Sequence, residues 1–290
     1  RGRLDLDAPV QRYVPGFPVK EWPISTRQLM AHTAGIRHHR GEGEIFRRIS
    51  CADDSDRLAI FADDPLRFRP GTEHLYSTYG WVLVGAVVAA AADEPYLDFV
   101  QREVLTPLEM ANTVPDAFSQ TEPGSAHFYY PRMMLNPRYG LHDAPTVDLS
   151  CILPAGGFLS TPSDLVRFGS AMMGNALLDP ATVAELQTPV RLSSGERTEQ
   201  ALGWTVQHIP MGADGTPTRI AGHGLGDAVL RRPLSATTIG GHVSGGTASL
   251  MTVPEHGIAI AVATNVSGAE SVSLLAIRLA DLFVRLSRAR

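Results

Sequence analysis

The C-terminal end of the sequence carries a strand–turn–strand–helix pattern, and this pattern limits the possible folds more than any other feature. Thr247 to Val253 and Ile258 to Thr264 are rich in strand-forming residues, and the turn-forming run Pro254 to Gly257 separates them. Ser271 to Leu286 has the spacing of an amphipathic helix. We therefore predict an antiparallel hairpin that is followed by a closing helix.

The middle of the sequence has mainly helical patterns. They cover residues 26–35, 81–92, 96–105 and 160–173. Ser25 or Thr26 can cap the first of these helices and Gly35 can end it, whereas 81–92 is almost wholly apolar and so predicts a buried helix. The proline-rich stretch 112–150 predicts a long irregular excursion. Helices in the middle and antiparallel strands at the end favour an α+β fold.

Composition and charge argue against several classes of partner. The formal net charge is −5 with no long block of like charge, which argues against a nucleic-acid partner. No run of 18 apolar residues occurs, so we expect no membrane span. Cys51 and Cys151 are the only cysteines, which excludes a four-thiolate metal site but leaves one disulfide possible. The sequence begins at Arg1 without a visible targeting segment, so the compartment, whether periplasmic, secreted or cytoplasmic, stays open.

Three motifs occur in a fixed order in the N-terminal third. They are the connector Arg1-Gly-Arg-Leu-Asp-Leu-Asp7 with Tyr13-Val-Pro15, the segment Leu29-Met-Ala-His-Thr-Ala-Gly-Ile36, and Leu75-Tyr-Ser-Thr-Tyr-Gly80. They resemble three motifs of the serine β-lactamases and penicillin-binding-protein-like hydrolases, the last being that family's Tyr-x-Asn motif with Thr78 in its third position. Within that family the sequence is most similar to the LACTB-like branch.

The resemblance implies the fold and its organisation. It runs from residue 1 to about 285 and implies a β-lactamase/transpeptidase-like α+β fold, with an antiparallel sheet flanked by helices and a helical lobe. It further implies a single domain over 1–290 that lacks its N-terminal part. The helical lobe is expected at roughly 25–180, and the sheet with the C-terminal helix at roughly 200–290.

The nucleophile motif of that family is not found in these 290 residues. Ser-x-x-Lys places a nucleophilic serine and a lysine on one helix face, but Lys20 is the only lysine here and Phe17 lies three positions before it. The family places this motif just upstream of the connector. We therefore expect a serine hydrolase that acts on an ester, amide or peptide bond through an acyl-serine intermediate, and we expect these 290 residues alone to be inactive because the nucleophile segment is absent. The alternative is a non-catalytic scaffold or filament-forming pseudoenzyme of the same fold.

Tyr76 is the main catalytic candidate. The resemblance implies a tyrosine that shares or shuttles the serine proton and later protonates the leaving group. The alternative is a half-buried structural tyrosine at the start of the helix that contains Trp81. Ser77 and Thr78 would line the same cleft and bind substrate, and Thr78 is alternatively a helix N-cap.

A glycine-rich segment near residue 241 resembles the third motif, Lys/His-x-Gly on an edge strand. Ile239 occupies the position of the usual basic residue and cannot bind a carboxylate, which favours an esterase or peptidase over a β-lactamase. The resemblance implies a backbone oxyanion donor after Gly241 and a catalytic role for His242, whose alternative is a surface hairpin histidine. Gly240, Gly241 and Gly245 would let a substrate approach the strand, or form a bulge.

Other patterns are weaker. Ser244 is one residue away from a Gly-x-Ser-x-Gly nucleophile elbow, but a strand rather than a helix follows it. His38 and His39 lack an acidic partner at metal-binding spacing and are interpreted as a solvated loop pair, while His32 is interpreted as structural. We expect no metal and no cofactor. The expected partners are a small-molecule or peptide substrate and a possible second copy of the chain.

Overall fold

The computed structural model describes residues 2–41, 44, 50–116, 124–133, 137–174, 176–223, 245–267 and 272–288. The α-helices in these ranges are α1 (Thr26–Met30), α2 (Asp54–Ala59), α3 (Thr78–Ala92), α4 (Tyr96–Val100), α5 (Leu153–Gly156), α6 (Pro162–Ala171), α7 (Pro180–Leu186) and α8 (Val272–Arg288). Helix α4 continues into a π-helical turn at Gln101–Leu105. Within these ranges no helix is long and apolar enough to cross a membrane.

The strands form one large sheet and two small ones. They are β1 (Val114–Pro115), β2 (Tyr129–Pro131), β3 (Leu141–Asp143), β4 (Phe158–Leu159), β5 (Thr205–Met211), β6 (Thr216–His223), β7 (Thr247–Val253) and β8 (Ile258–Thr264). The large sheet has the antiparallel order β5-β6-β7-β8, while β1 pairs with β4 and β2 pairs with β3. The predicted hairpin is confirmed, since β7 and β8 have the expected bounds.

Helices cover both faces of the large sheet, as the α+β prediction requires. Alternate residues of a strand point to opposite faces. On one face of β7, Met251 and Val253 pack with Ala276 and Val284 of α8. On the other face, Leu250 lies against α6, where its Cδ1 would be 3.0 Å from a Cβ added at Gly169. The predicted antiparallel sheet flanked by helices is therefore confirmed.

Helix α3 is the centre of the helical core. Its apolar sequence is buried on most sides, with Val82, Leu83 and Val87 at most 1% exposed. A helix that is apolar all round must be buried in this way. It begins three residues before the predicted Trp81 start because Ser77 acts as its N-cap and accepts a hydrogen bond from the backbone of Gly80.

Some local predictions were wrong. The first helix ends at Met30 rather than near Gly35. Helix α2, which Asp53 caps, was not predicted, and the excursion 112–150, predicted to be irregular, contains short strands. Strands β5 and β6 were not predicted. Cys51 and Cys151, whose pairing the sequence left open, form a disulfide.

Candidate active site

The residues of the second motif form a short loop before α3, here called the Tyr76 loop (residues 75–78). Leu75 N–H donates to the carbonyl oxygen of His32 at 2.9 Å. The Ser77 hydroxyl donates to the carbonyl oxygen of Arg37 at 2.8 Å and accepts from Gly80 N–H at 2.9 Å. The loop is therefore fixed both to α3 and to the segment that follows α1.

The Tyr76 ring packs against two histidines and still reaches solvent. Its centroid lies 4.5 Å from that of His32 and 5.3 Å from that of His38, the latter in an edge-on arrangement. The side chain is 44% exposed, so a small molecule can reach it. Burial against these neighbours raises the pKa of Tyr76, and a weaker hydrogen bond from Thr78 acts in the opposite direction. The phenol is thus protonated at neutral pH and available as a proton donor.

His32 lies beneath the Tyr76 loop and is only 4% exposed. Its Nδ1 accepts from Ser77 N–H at 3.1 Å. The indole N–H of Trp81 points to the other ring nitrogen, Nε2, at 3.3 Å, so both nitrogens face a donor. A neutral imidazole accepts at one nitrogen only, and we assign that role to Nδ1 because its contact with Ser77 N–H is the shorter of the two. Burial, followed by the imidazoles of His223, His74 and His38, lowers the pKa of His32 to about 3. His32 is therefore uncharged throughout the physiological pH range.

His38 forms the second contact to the loop. Its Nδ1 accepts from Thr78 N–H at 3.3 Å, and burial lowers its pKa to about 4. The interpretation of His38 as part of a solvated pair was therefore wrong, since its ring is partly buried between Tyr76 and His39. Thr78 is the first residue of α3, and its alternative role as N-cap belongs to Ser77.

A cleft of about 380 Å³ opens beside the Tyr76 loop, and Leu75 and His38 line it together with basic side chains. The guanidinium of Arg37, which forms part of the wall, is paired with Glu44 and Asp64 and lies 4.8 Å from the ring centroid of Tyr79. Tyr76 does not itself line the cleft, but its ring contacts His38, which does.

The end of β6 also lies near His32. His223 Nδ1 is 3.2 Å from the carbonyl oxygen of Gly203, and Gly203 N–H donates to the carbonyl oxygen of Met30 at 3.1 Å. His223 pairs with Leu250 on β7. The large sheet is thus anchored to the end of α1, beside the loop that carries Tyr76.

The structure brings Tyr76, Ser77 and Thr78 together but describes little of the third motif. Gly240, Gly241 and His242 lie outside the described residues, as do Ile239 and Ser244. Gly245 has a φ of +89°, and a side chain there would meet Ala144 at 2.7 Å and Phe128 at 2.8 Å. The space beside Gly245 is therefore occupied by the protein's own chain. Its role in substrate binding, and that of Ser77, stay predictions.

Comparison with known families decides the class of the protein. The Beta-lactamase family matches residues 1–283. The chain belongs to the beta-lactamase family. Over the ranges that the structure describes, no group of three His, Cys, Asp or Glu side chains could hold a metal ion.

Relatives of this beta-lactamase-family chain include eukaryotic and bacterial proteins. The chain is 29% identical over 291 residues to the mitochondrial serine beta-lactamase-like protein LACTB of Homo sapiens, a match that covers 71% of this chain and 52% of the relative. It is 26% identical over 226 residues to penicillin-binding protein 4* of Bacillus subtilis, a match that covers 72% of this chain and 48% of the relative. The chain thus spans about half the length of the curated relatives it matches.

Solved structures support the fold assignment. A D-stereospecific amidohydrolase from Streptomyces superposes with a TM-score of 0.73 at 24% identity, covering 94% of this chain and 78% of that one. The octameric penicillin-binding protein homologue from Pyrococcus abyssi superposes with a TM-score of 0.71 at 20% identity, covering 97% of this chain and 61% of that one. At these identities the likeness shows a shared fold.

Proposed function

We propose that the protein hydrolyses an ester, amide or peptide bond through an acyl-serine intermediate, with Tyr76 as the proton shuttle. One observation carries the proposal: a half-exposed phenol is fixed beside a cleft, at the start of a buried helix, in a chain of the beta-lactamase family. Tyr79 within α3 and Tyr96 at the start of α4 do not offer an exposed phenol beside the cleft. Tyr79 is 2% exposed, and Tyr96 packs near Gly85.

The chemistry needs a group that both accepts and donates a proton. A serine oxygen attacks the acyl carbonyl carbon while a nearby base takes its proton. The phenol of Tyr76 gives its own proton to the leaving group as the bond to the acyl carbon breaks, and the base then passes the serine proton to the Tyr76 oxygen, which restores the phenol. Water adds to the acyl-serine and releases the acid. A phenol with a raised pKa is protonated at rest, and a cation brought close to it would lower the pKa and ease the transfer.

The attacking serine is proposed to come from a Ser-x-x-Lys motif outside these 290 residues. No serine here lies three residues before a lysine, because Lys20 is the only lysine and Phe17 lies at that spacing. The proposal agrees with the coverage of the relatives, since this chain spans 52% of human LACTB. The Tyr76 loop then contributes the proton shuttle and one wall of the cleft to a site that the motif completes.

Residues 240–246 are proposed as the oxyanion and substrate edge. One observation supports this assignment: His223, which lies beside His32, pairs with Leu250 on β7, the strand that follows this segment in the sequence. Ile239 offers no hydrogen-bond donor to a substrate carboxylate, so we propose an esterase, amidase or peptidase rather than a β-lactamase.

The test is covalent labelling of the complete gene product with a fluorophosphonate, which bonds to activated serines. We expect one labelled serine, in a Ser-x-x-Lys motif, together with turnover of nitrophenyl esters or of D-amino acid amides, the latter chosen because a D-amino acid amidase shares the fold. Nitrocefin should react more slowly. A gene product that shows neither label nor turnover would contradict the hydrolase proposal and favour a pseudoenzyme scaffold.

Tyr76→Phe tests the shuttle. Loss of a positioned general acid–base should lower the acylation rate by about 10²-fold or more. Tyr139→Phe is the matched control, because it deletes the same hydroxyl from a tyrosine that is 59% exposed in a surface turn, and its rate should equal that of the wild type. Equal rates for both variants would exclude Tyr76 from the mechanism.

A further inference from the structure

His32 has a backbone conformation that usually belongs to glycine. Its φ is +57°, in the left-handed region, directly after the end of α1. A side chain in this conformation costs about 1 kcal/mol, and helices commonly place Gly at this position because Gly avoids the cost. A glycine would end α1 equally well. The imidazole at 32 therefore needs a reason other than ending the helix.

The contacts of His32 all lead to the Tyr76 loop. Its carbonyl oxygen accepts from Leu75 N–H at 2.9 Å, and its Nδ1 accepts from Ser77 N–H at 3.1 Å. The residue between them, Tyr76, packs its ring on the imidazole at a centroid distance of 4.5 Å and an interplanar angle of 35°. One residue thus holds the backbone on both sides of Tyr76 and supports its ring from below.

We infer that His32 is a positioning residue for Tyr76, which it holds through two backbone hydrogen bonds and a ring contact. The inference rests on the proposed function only for its catalytic consequence. The geometric part, that the imidazole fixes the phenol, can be measured without any turnover. Because His32 does not face the cleft as a free group, it acts through Tyr76 rather than on a substrate.

The surroundings of His32 keep its imidazole uncharged, so that one ring nitrogen remains an acceptor. The titratable side chains that face it are His38 from the same segment, His74 and Tyr76 from the loop before α3, and His223 from the end of β6. The indole N–H of Trp81 on α3 points to Nε2 at 3.3 Å and competes with the Ser77 N–H for the one acceptor nitrogen of the neutral ring. The three other imidazoles disfavour a charge on this ring, so the hydrogen bond from Ser77 persists as pH changes.

Two substitutions separate the side chain from the backbone strain. Asn and Gly both accept a positive φ, but only Asn has an acceptor, since its Oδ1 is the same number of bonds from the backbone as Nδ1. In His32→Gly we expect the amide of Ser77 to exchange about tenfold faster, because a buried donor loses its partner. In His32→Asn the exchange should stay within about twofold of the wild type.

The position of the phenol is read by carbon-13 NMR of the ring carbon that bears the hydroxyl, with Tyr76→Phe used to assign the signal. Burial holds the pKa of Tyr76 above its ordinary value, so His32→Gly should shift the titration towards that value. Asp93→Gly is the matched control. Asp93 also has a positive φ, +58°, and it ends α3 about 22 Å from the end of that helix that carries the Tyr76 loop. It should leave both readouts unchanged.

Equal exchange of Ser77 and equal titration of Tyr76 in His32→Gly and the wild type would overturn the inference. So would an Asn variant that behaves like the Gly variant, or an Asp93→Gly control with the same effects. In the complete enzyme, His32→Gly should lower kcat with little change in KM. If the NMR effects appear without any wild-type turnover, the positioning role holds and the hydrolase proposal fails.

Discussion

Reduction of the Cys51–Cys151 disulfide should destabilise the protein strongly. The bridge joins the segment before α2 to the turn before α5. Both segments border the helical core, where Leu58 and Phe61 pack with Leu149 and Ile152. Breaking the bond leaves these native contacts in place but raises the conformational entropy of the unfolded chain.

The magnitude follows from the length of the closed loop. The two cysteines are 100 residues apart, and closing a loop of this length restricts the unfolded ensemble by about 4.7 kcal/mol. Native contacts on either side of the bridge change little on reduction, so most of this difference should be measurable. With a urea m-value of about 3 kcal/mol per M, the unfolding midpoint should fall by about 1.5 M.

The assay compares urea unfolding of oxidised and reduced protein by tryptophan fluorescence. A variant with both cysteines changed to Ala should unfold near the reduced wild type and should not respond to reductant. Its m-value should be slightly larger than that of the oxidised protein, because an open chain exposes more surface. Identical midpoints with and without reductant, or two free thiols in protein purified without reductant, would refute the reasoning.

Three further predictions concern pH, packing and capping. The folded-state pKa of His32 is depressed to about 3, below the ordinary value of about 6.5. His32 therefore contributes stability that is present above pH 6.5 and is lost as the pH falls, about 2 kcal/mol of it by pH 5. His32→Asn should remove this part of the difference between the unfolding midpoints at pH 8 and pH 5. Gly85→Ala should cost about 1–3 kcal/mol because its Cβ would lie 2.3 Å from Pro154, whereas Gly80→Ala, with 3.4 Å to its nearest neighbour, should be neutral or stabilising in the same thermal melt. Ser77→Ala should lower stability by about 1 kcal/mol or more through loss of the N-cap, and Ser77→Asp should recover part of it; equal melting of all three proteins would contradict the capping role.

Local patterns were sufficient for the hairpin β7–β8 and for α3. The hairpin strands consist of strongly strand-forming residues on either side of a turn, and α3 is apolar over most of its length, so neighbouring residues alone decide the structure. Strands β5 and β6 lack such a signal. Pro210 and Pro217 argue against strands, yet the register pairs them directly across the hairpin, where neither needs to donate to the other.

The candidate site was predictable only where its residues are adjacent in sequence. Tyr76, Ser77 and Thr78 form one motif at the start of α3, directly after Leu75, which lines the cleft. His32 and His223 are 191 positions apart, and no spacing rule connects them to Tyr76. Their contacts depend on how α1 and β6 pack against α3, which is a tertiary property. The roles of His242 and of Gly240 stay predictions.

The early end of α1 is what joins the sheet to the site. In a helix that continued to Gly35, the carbonyl oxygen of Met30 would accept from Ala34 N–H; here it accepts from Gly203 N–H at 3.1 Å. Gly203 leads into β5 and can approach closely because a Cβ there would meet the Trp81 ring at 2.9 Å. The chain must therefore turn at His32, and that turn directs its carbonyl and imidazole to the Tyr76 loop. A substitution that straightens this turn should loosen the sheet contact and the phenol together, since both depend on the same residues.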